Sequence, residues 1–69
     1  MSYAICLNNL DYPASLEPRK LYEVVPDSES ESRGLMRVID ESGEDYLYPK
    51  TMFAEIAIPA NVEAELKAA

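Results

Sequence analysis

Apolar residues cluster in five short runs along the chain, and proline, asparagine or acidic residues follow each run. Runs that are rich in aromatic and β-branched residues and bounded by turn formers are typical of β-strands. We therefore predict five strands, at residues 3–8, 20–26, 34–40, 45–48 and 54–58. The Glu-Ser-Gly-Glu sequence at residues 41–44 predicts a tight hairpin between the third and fourth strands, because Gly43 supplies the positive φ that such turns require.

The segments between these runs differ in character. Residues 9–19 form a long loop, in which Pro13 and Pro18 disfavour helix. Residues 27–32 alternate acids with serines, a composition that predicts a solvated loop. Residues 50–53 are too few for a full helix, so we predict a single 3-10 turn there.

The C-terminal tail changes to helical spacing. Asn61 is a favourable N-cap, and Val62 and Leu66 lie four residues apart on one helical face. A short isolated helix frays easily. We therefore predict one domain at residues 1–59, followed by a short C-terminal helix or frayed tail at residues 60–69.

Charge is the most unusual feature of the composition. Thirteen acidic residues against six basic ones give a net charge of −7. Such a surface repels phosphate, so we expect no direct nucleic-acid binding. The segment at residues 1–8 lacks the basic head and apolar run of a signal peptide, and no run approaches the ~20 apolar residues of a membrane span. We therefore expect no membrane association and a cytoplasmic location.

The side chains that usually carry catalysis are scarce. The chain has no histidine, and its one cysteine, Cys6, lies in an apolar run that predicts a buried core residue. Carboxylates surround the hairpin turn, where we expect hydration and ordinary pKa values; they are Asp40, Glu41, Glu44 and Asp45. Their spacing does not match a calcium-binding loop. We expect a non-catalytic protein with no cofactor and no metal site.

The order of the predicted elements resembles that of an SH3 domain. Residues 34–58 follow the second half of the family's pattern: strand, glycine hairpin, strand ending at Pro49, 3-10 turn and last strand. Residues 21–25 resemble the arm that returns from the long RT loop, and residues 27–33 the n-Src loop. The run at residues 39–49 is similar to that of short, stand-alone bacterial SH3-like proteins. The resemblance implies an all-β fold: a small five-stranded SH3-like barrel with a 3-10 turn before the last strand and a short C-terminal helix.

The resemblance does not extend to the ligand groove of eukaryotic SH3 domains. That groove holds proline-rich peptides between aromatic walls, including a tryptophan at the start of the third strand. This chain has no tryptophan, and Gly34 or Leu35 stands at that position. We therefore expect no binding of proline-rich peptides. The candidate contact residues that remain are Tyr12, Leu35, Tyr48, Pro49 and Met52.

The alternation of the fourth strand leaves two arrangements open. Tyr46 and Tyr48 lie on one side of this strand, and Leu47 lies on the other. If Leu47 faces the core, the tyrosines form an exposed contact patch. If the tyrosines face the core, their hydroxyls anchor it through hydrogen bonds.

Acidic residues in two loops suggest the sign of a partner. Glu17 lies in the long loop, and Asp27, Glu29 and Glu31 lie in the next; the SH3 resemblance implies that these loops flank one face. A negative rim there attracts basic side chains, although acids also simply keep a small domain soluble. We expect a protein-interaction module that binds a basic partner segment. We also expect a monomer or weak homodimer. The alternatives are an acidic regulator that masks a basic nucleic-acid-binding partner, and a structural subunit that pairs by an edge strand at residues 3–7.

Overall fold

The computed structural model of the chain describes residues 2–68, so Met1 of the predicted domain and Ala69 of the predicted tail lie outside the described residues. The strands are β1 (Ser2–Cys6), β2 (Leu21–Val25), β3 (Leu35–Ile39), β4 (Asp45–Pro49) and β5 (Phe53–Ile56). The other elements are the helices α1 (Ser28–Ser32) and α2 (Ala60–Ala68) and a 3-10 turn at Lys50–Met52. The predicted five strands, the 3-10 turn before the last strand and the C-terminal helix are confirmed.

The strands form one antiparallel sheet in the order β4-β3-β2-β1-β5. Its two edge strands are consecutive in the chain, and only the 3-10 turn joins them. The edges of a flat five-stranded sheet lie about 19 Å apart. Four Cα steps from Pro49 to Phe53 span at most about 15 Å, so the sheet must curl. No ladder joins β4 to β5 within residues 2–68, and the sheet stays open along that seam.

Strand β1 lies in the interior of the sheet. Ala4 is opposite Tyr22 of β2 on one side and Glu55 of β5 on the other. Both backbone edges of β1 are therefore occupied, and the prediction that residues 3–7 form a free edge strand is wrong. The available edges belong to β4 and β5.

The core fills the concave face of this sheet. Leu16 from the long loop and Met52 from the 3-10 turn belong to this core. The strands contribute the other core residues, which are Ala4, Cys6, Tyr22, Val24, Met36, Val38, Tyr48 and Phe53. Cys6 is a fully buried free thiol, as predicted, and burial raises its pKa.

The segment at residues 27–32 is not the solvated loop that its composition predicted. Asp27 caps α1 by accepting hydrogen bonds from the backbone N–H of Ser30 at 3.2 Å and from its hydroxyl at 2.8 Å. Ser30 is buried, and Arg37 of β3 donates to the same carboxylate at 3.0 Å. The acids and serines that favour solvated loops are also the residues that cap helices, and here one of them does so.

Helix α2 buries little apolar surface. Val62 and Leu66, the two residues on its apolar side, are 41% and 39% exposed. Because isolated helices of this length are marginal in water, we expect α2 to open before the sheet does. No helix within residues 2–68 has the length and apolar content that crossing a membrane requires.

The β3–β4 hairpin turns where the sequence predicts. Gly43 has φ +83°, and its N–H donates to Asp40 at 3.0 Å. The two strands then pair in register from Ile39 opposite Asp45 to Leu35 opposite Pro49.

We expect Gly43→Ala to lower the free energy of unfolding by about 1–2 kcal/mol, because a residue with a Cβ resists positive φ. A Cβ at this position meets nothing within 4 Å, so the loss is purely one of backbone conformation. Gly43→Asn should lose less, because asparagine tolerates this region. Urea denaturation measures both, and equal losses for Ala and Asn would contradict this explanation.

Candidate functional site

A pocket of about 300 Å³ opens where the long loop meets the β3–β4 hairpin. Three tyrosines contribute to its wall, namely Tyr12, Tyr46 and Tyr48. The remaining lining residues are Ser15, Asp40, Ser42 and Leu47. The pocket therefore combines aromatic surface, hydroxyl groups and one carboxylate.

Asp40 supplies the negative charge of the pocket. It is only 6% exposed, and its Oδ1 accepts hydrogen bonds from the backbone N–H of Ser42 at 2.9 Å and from the Ser42 hydroxyl. Its Oδ2 accepts the hydroxyl of Tyr48. Burial alone would raise the pKa of Asp40, but the bonds from Ser42 and Tyr48 outweigh it and hold the pKa below its ordinary value. The prediction that every acid of this turn is hydrated with an ordinary pKa is wrong for Asp40 and also for Glu41, whose carboxylate is bonded to Lys20 and Tyr22.

Of the two tyrosines of the fourth strand, Tyr48 faces the core. Tyr48 is 2% exposed, and burial together with its bond to Asp40 raises its pKa to about 12. Tyr12 meets the Tyr48 ring edge-on, with centroids 4.9 Å apart. Tyr46, nearer the hairpin turn, is 53% exposed. One tyrosine of the pair is therefore core, and the other leaves much of its surface open to a ligand.

A network of hydrogen bonds and one ion pair joins the long loop to the hairpin. The Glu41 carboxylate accepts the Tyr22 hydroxyl and lies 2.6 Å from Nζ of Lys20. The N–H of Glu17 donates to the Tyr22 oxygen at 2.8 Å, and the N–H of Glu41 donates to the Ser15 carbonyl at 3.0 Å. Lys20 and Tyr22 lower the pKa of Glu41. These bonds place Ser15 in the pocket wall, three residues after Tyr12.

The structure does not bring the four predicted acidic residues together. Glu17 bonds through its backbone to Tyr22 near the start of β2, whereas Asp27, Glu29 and Glu31 follow the end of β2. Five residues of strand separate these ends by about 13 Å. Asp27 is engaged by Arg37, and an i,i+4 ion pair joins Glu29 to Arg33. The carboxylates of Asp27 and Glu29 are therefore paired with basic side chains of the chain itself.

The other candidate contact residues also separate. Tyr48 and Met52 are core residues with little surface to offer. Leu35 and Pro49 pair with each other at the end of the β3–β4 ladder away from the hairpin turn. Of the nine predicted site residues, only Tyr12 and Tyr48 meet in the pocket.

The sequence did not indicate that the other lining residues belong to one pocket with Tyr12 and Tyr48. Asp40 carried a usable signal, because it continues the two-residue alternation of Met36 and Val38 and therefore faces the same side. Ser15 carried none, because its place depends on the fold of the long loop. Tyr46 was recognised, but its ring could not be assigned to core or surface.

Neither a metal site nor a similarity to known proteins indicates what this pocket binds. Within residues 2–68, no three His, Cys, Asp or Glu side chains are grouped so that they could hold a metal ion. Comparisons of the chain with protein-family models, curated proteins and solved structures gave no match.

We expect Asp40→Asn to lower the free energy of unfolding at neutral pH by about 1–3 kcal/mol, because it removes a charged acceptor of three hydrogen bonds. The pKa of Asp40 is lowered in the fold, so its contribution is present above the unfolded pKa and is lost as pH falls through the folded pKa. The gap between the wild type and the variant should therefore close below about pH 4.

Urea denaturation at a series of pH values measures this gap. Glu44→Gln, at an exposed position of the same turn, is the matched control and should change stability little at any pH. A gap for Asp40→Asn that stays constant down to acid pH would contradict the role given to the charge.

We expect Tyr22→Phe to destabilise the fold by about 1–2 kcal/mol, because it leaves the Glu17 N–H and the Glu41 carboxylate without their shared partner. Amide hydrogen exchange at Glu17 should speed up with it. Tyr46→Phe, which removes an exposed hydroxyl, should stay within about 0.5 kcal/mol of the wild type. Equal effects of the two variants would contradict the stabilising role given to the hydrogen bonds of the Tyr22 hydroxyl.

Proposed function

We propose that this chain is a small, cytoplasmic, SH3-like protein-interaction module that binds a basic segment of a partner protein and carries out no catalysis. The strand order and the 3-10 turn between the edge strands support the SH3-like assignment, because such a connection requires a curled sheet. The observation that carries the functional proposal is the tyrosine-walled pocket around the buried, ionised Asp40.

The distribution of charge supports a basic ligand. Four of the six basic side chains are engaged in ion pairs within the fold, namely Lys20, Arg33, Arg37 and Lys67. The acids outnumber the bases by seven, so the surface field is negative and draws cations toward the chain. Asp11 and Glu44, both exposed, lie beside Tyr12 and near Ser42 in the sequence. The site favoured here is therefore the pocket, not a face between the long loop and α1.

The absence of catalysis is supported by the chemistry of the candidate groups. The chain has no histidine, and the Cys6 thiol is fully buried with a raised pKa, which opposes thiolate formation. Asp40 is stabilised as a carboxylate, so it is a poor proton donor near neutral pH. A fixed negative charge of this kind suits binding of a cation.

The test is a titration of the labelled chain with a lysine-rich peptide, followed by NMR. We expect saturable shifts that weaken by about tenfold as the Debye length falls from about 10 Å in 0.1 M salt to about 3 Å in 1 M salt. A peptide with glutamine at every lysine position is the matched control and should not bind. Equal binding of the two peptides, or no shift with the basic peptide at low salt, would contradict the proposal.

A further inference from the structure

We propose that the pocket is a lysine subsite, in which Asp40 accepts the ε-ammonium group and Tyr12 and Tyr46 flank it, and that it discriminates against arginine. This inference rests on the proposed function, because it names the side chain by which a basic segment is held. It concerns residues that surround one cavity of about 300 Å³, which is near the lower limit of small-molecule sites and sufficient for one side chain.

The preference for lysine over arginine follows from how many acceptor positions of the Asp40 carboxylate are already occupied. A carboxylate offers about four lone-pair positions, two on each oxygen. On Oδ1 both positions are filled, by the N–H and the hydroxyl of Ser42. On Oδ2 the hydroxyl of Tyr48 fills one, so one position remains as far as residues 2–68 are concerned. The pocket thus presents a charged acceptor with a single vacancy.

Lysine and arginine differ in how they use such an acceptor. A guanidinium binds a carboxylate best through two parallel N–H bonds, one to each oxygen. Because Oδ1 is saturated, that fork cannot form at Asp40. An ammonium has three donors, but it acts as a compact point charge and gains its attraction to a carboxylate through a single bond to one oxygen. The filled oxygen therefore removes the usual advantage of arginine.

The tyrosines favour a cation in the same place. Tyr12 and Tyr46 retain 36% and 53% of their surface exposed, so ring surface remains available at the pocket. A cation near such a ring gains about 0.5–1 kcal/mol at an exposed site and more when it loses water. Burial of Asp40 strengthens the electrostatic attraction, because the surrounding dielectric is low.

The chain already uses this combination once within its own fold. Nζ of Lys20 lies 5.6 Å from the centre of the Tyr22 ring and 2.6 Å from the Glu41 carboxylate, which also accepts the Tyr22 hydroxyl. Carboxylate, tyrosine hydroxyl and lysine ammonium are therefore compatible in one cluster. In the pocket, Asp40 and Tyr48 supply the first two groups, and no ion pair joins Asp40 to a basic side chain among the described residues 2–68.

The test uses n-butylammonium and n-butylguanidinium ions as probes, with NMR shifts of the Tyr12 and Tyr46 rings and of the Ser42 amide as readout. We expect n-butylammonium to bind about threefold to tenfold more tightly, because n-butylguanidinium cannot form its two-bond fork with Asp40. Ser42→Ala then frees one position on Oδ1, so the preference should shrink toward equality or reverse. Ser28→Ala, at an exposed position in α1, is the control and should leave the preference unchanged.

Two further variants keep the inference falsifiable if Ser42→Ala perturbs the hairpin. Tyr46→Ala should weaken n-butylammonium binding, and Tyr46→Phe should preserve it, because the ring supplies the attraction. Equal or tighter binding of n-butylguanidinium to the wild type would overturn the inference. Binding of the lysine-rich peptide that is unaffected by Tyr46→Ala would overturn the subsite and leave the proposed function standing. Binding of n-butylammonium at the pocket without binding of the lysine-rich peptide would overturn the proposed function and leave the ammonium subsite standing.

Discussion

The three residues that join β4 to β5 impose the constraint on which the rest of the structure depends. They connect strands at opposite edges of the sheet, so the sheet can accommodate them only by curling. Curling creates a concave face, which the side chains of the strands do not fill by themselves. Leu16 and Met52 from the connecting segments complete the core there. The long loop is thereby drawn across one end of the sheet. The pocket lies where that loop meets the β3–β4 hairpin, so it is a consequence of how the sheet curls.

The same curl explains why a carboxylate is tolerated at the base of the pocket. Asp40 continues the inward alternation of β3 beyond Val38, which carries it to the end of the core. A buried charge is costly unless it is hydrogen-bonded, and the hairpin supplies bonds from Ser42 while β4 supplies one from Tyr48. Within the part of the chain that the structure describes, the charge is therefore stabilised by Ser42 and Tyr48 and not by a basic side chain. Since hydrogen-bond donors and not a cation satisfy it, the pocket retains negative charge that a ligand can neutralise.

The features that were predictable from the sequence are those that depend on near neighbours. Gly43 marks the hairpin because a positive φ is a local requirement, and the position of Cys6 in the core follows from the apolar run around it. The segment at residues 27–32 was mispredicted because the Asp27 carboxylate that bonds Ser30 is also held by Arg37, which lies in another strand. The pocket could not be predicted for a related reason. Ser15 and Tyr12 reach it through contacts with Glu41 and Tyr48, far along the chain.

The acidic balance of the chain and the pocket act at different ranges. Charges spread over the surface produce a field that attracts any cation, and salt screens it over about 10 Å at 0.1 M. Such a field cannot distinguish lysine from arginine, because the two carry the same charge. Discrimination requires a desolvated acceptor with fixed geometry, and Asp40 provides one because Ser42 saturates one of its two oxygens. The abundance of acids therefore bears on how fast a basic segment arrives, and the hydrogen bonds of one buried acid bear on which side chain is held.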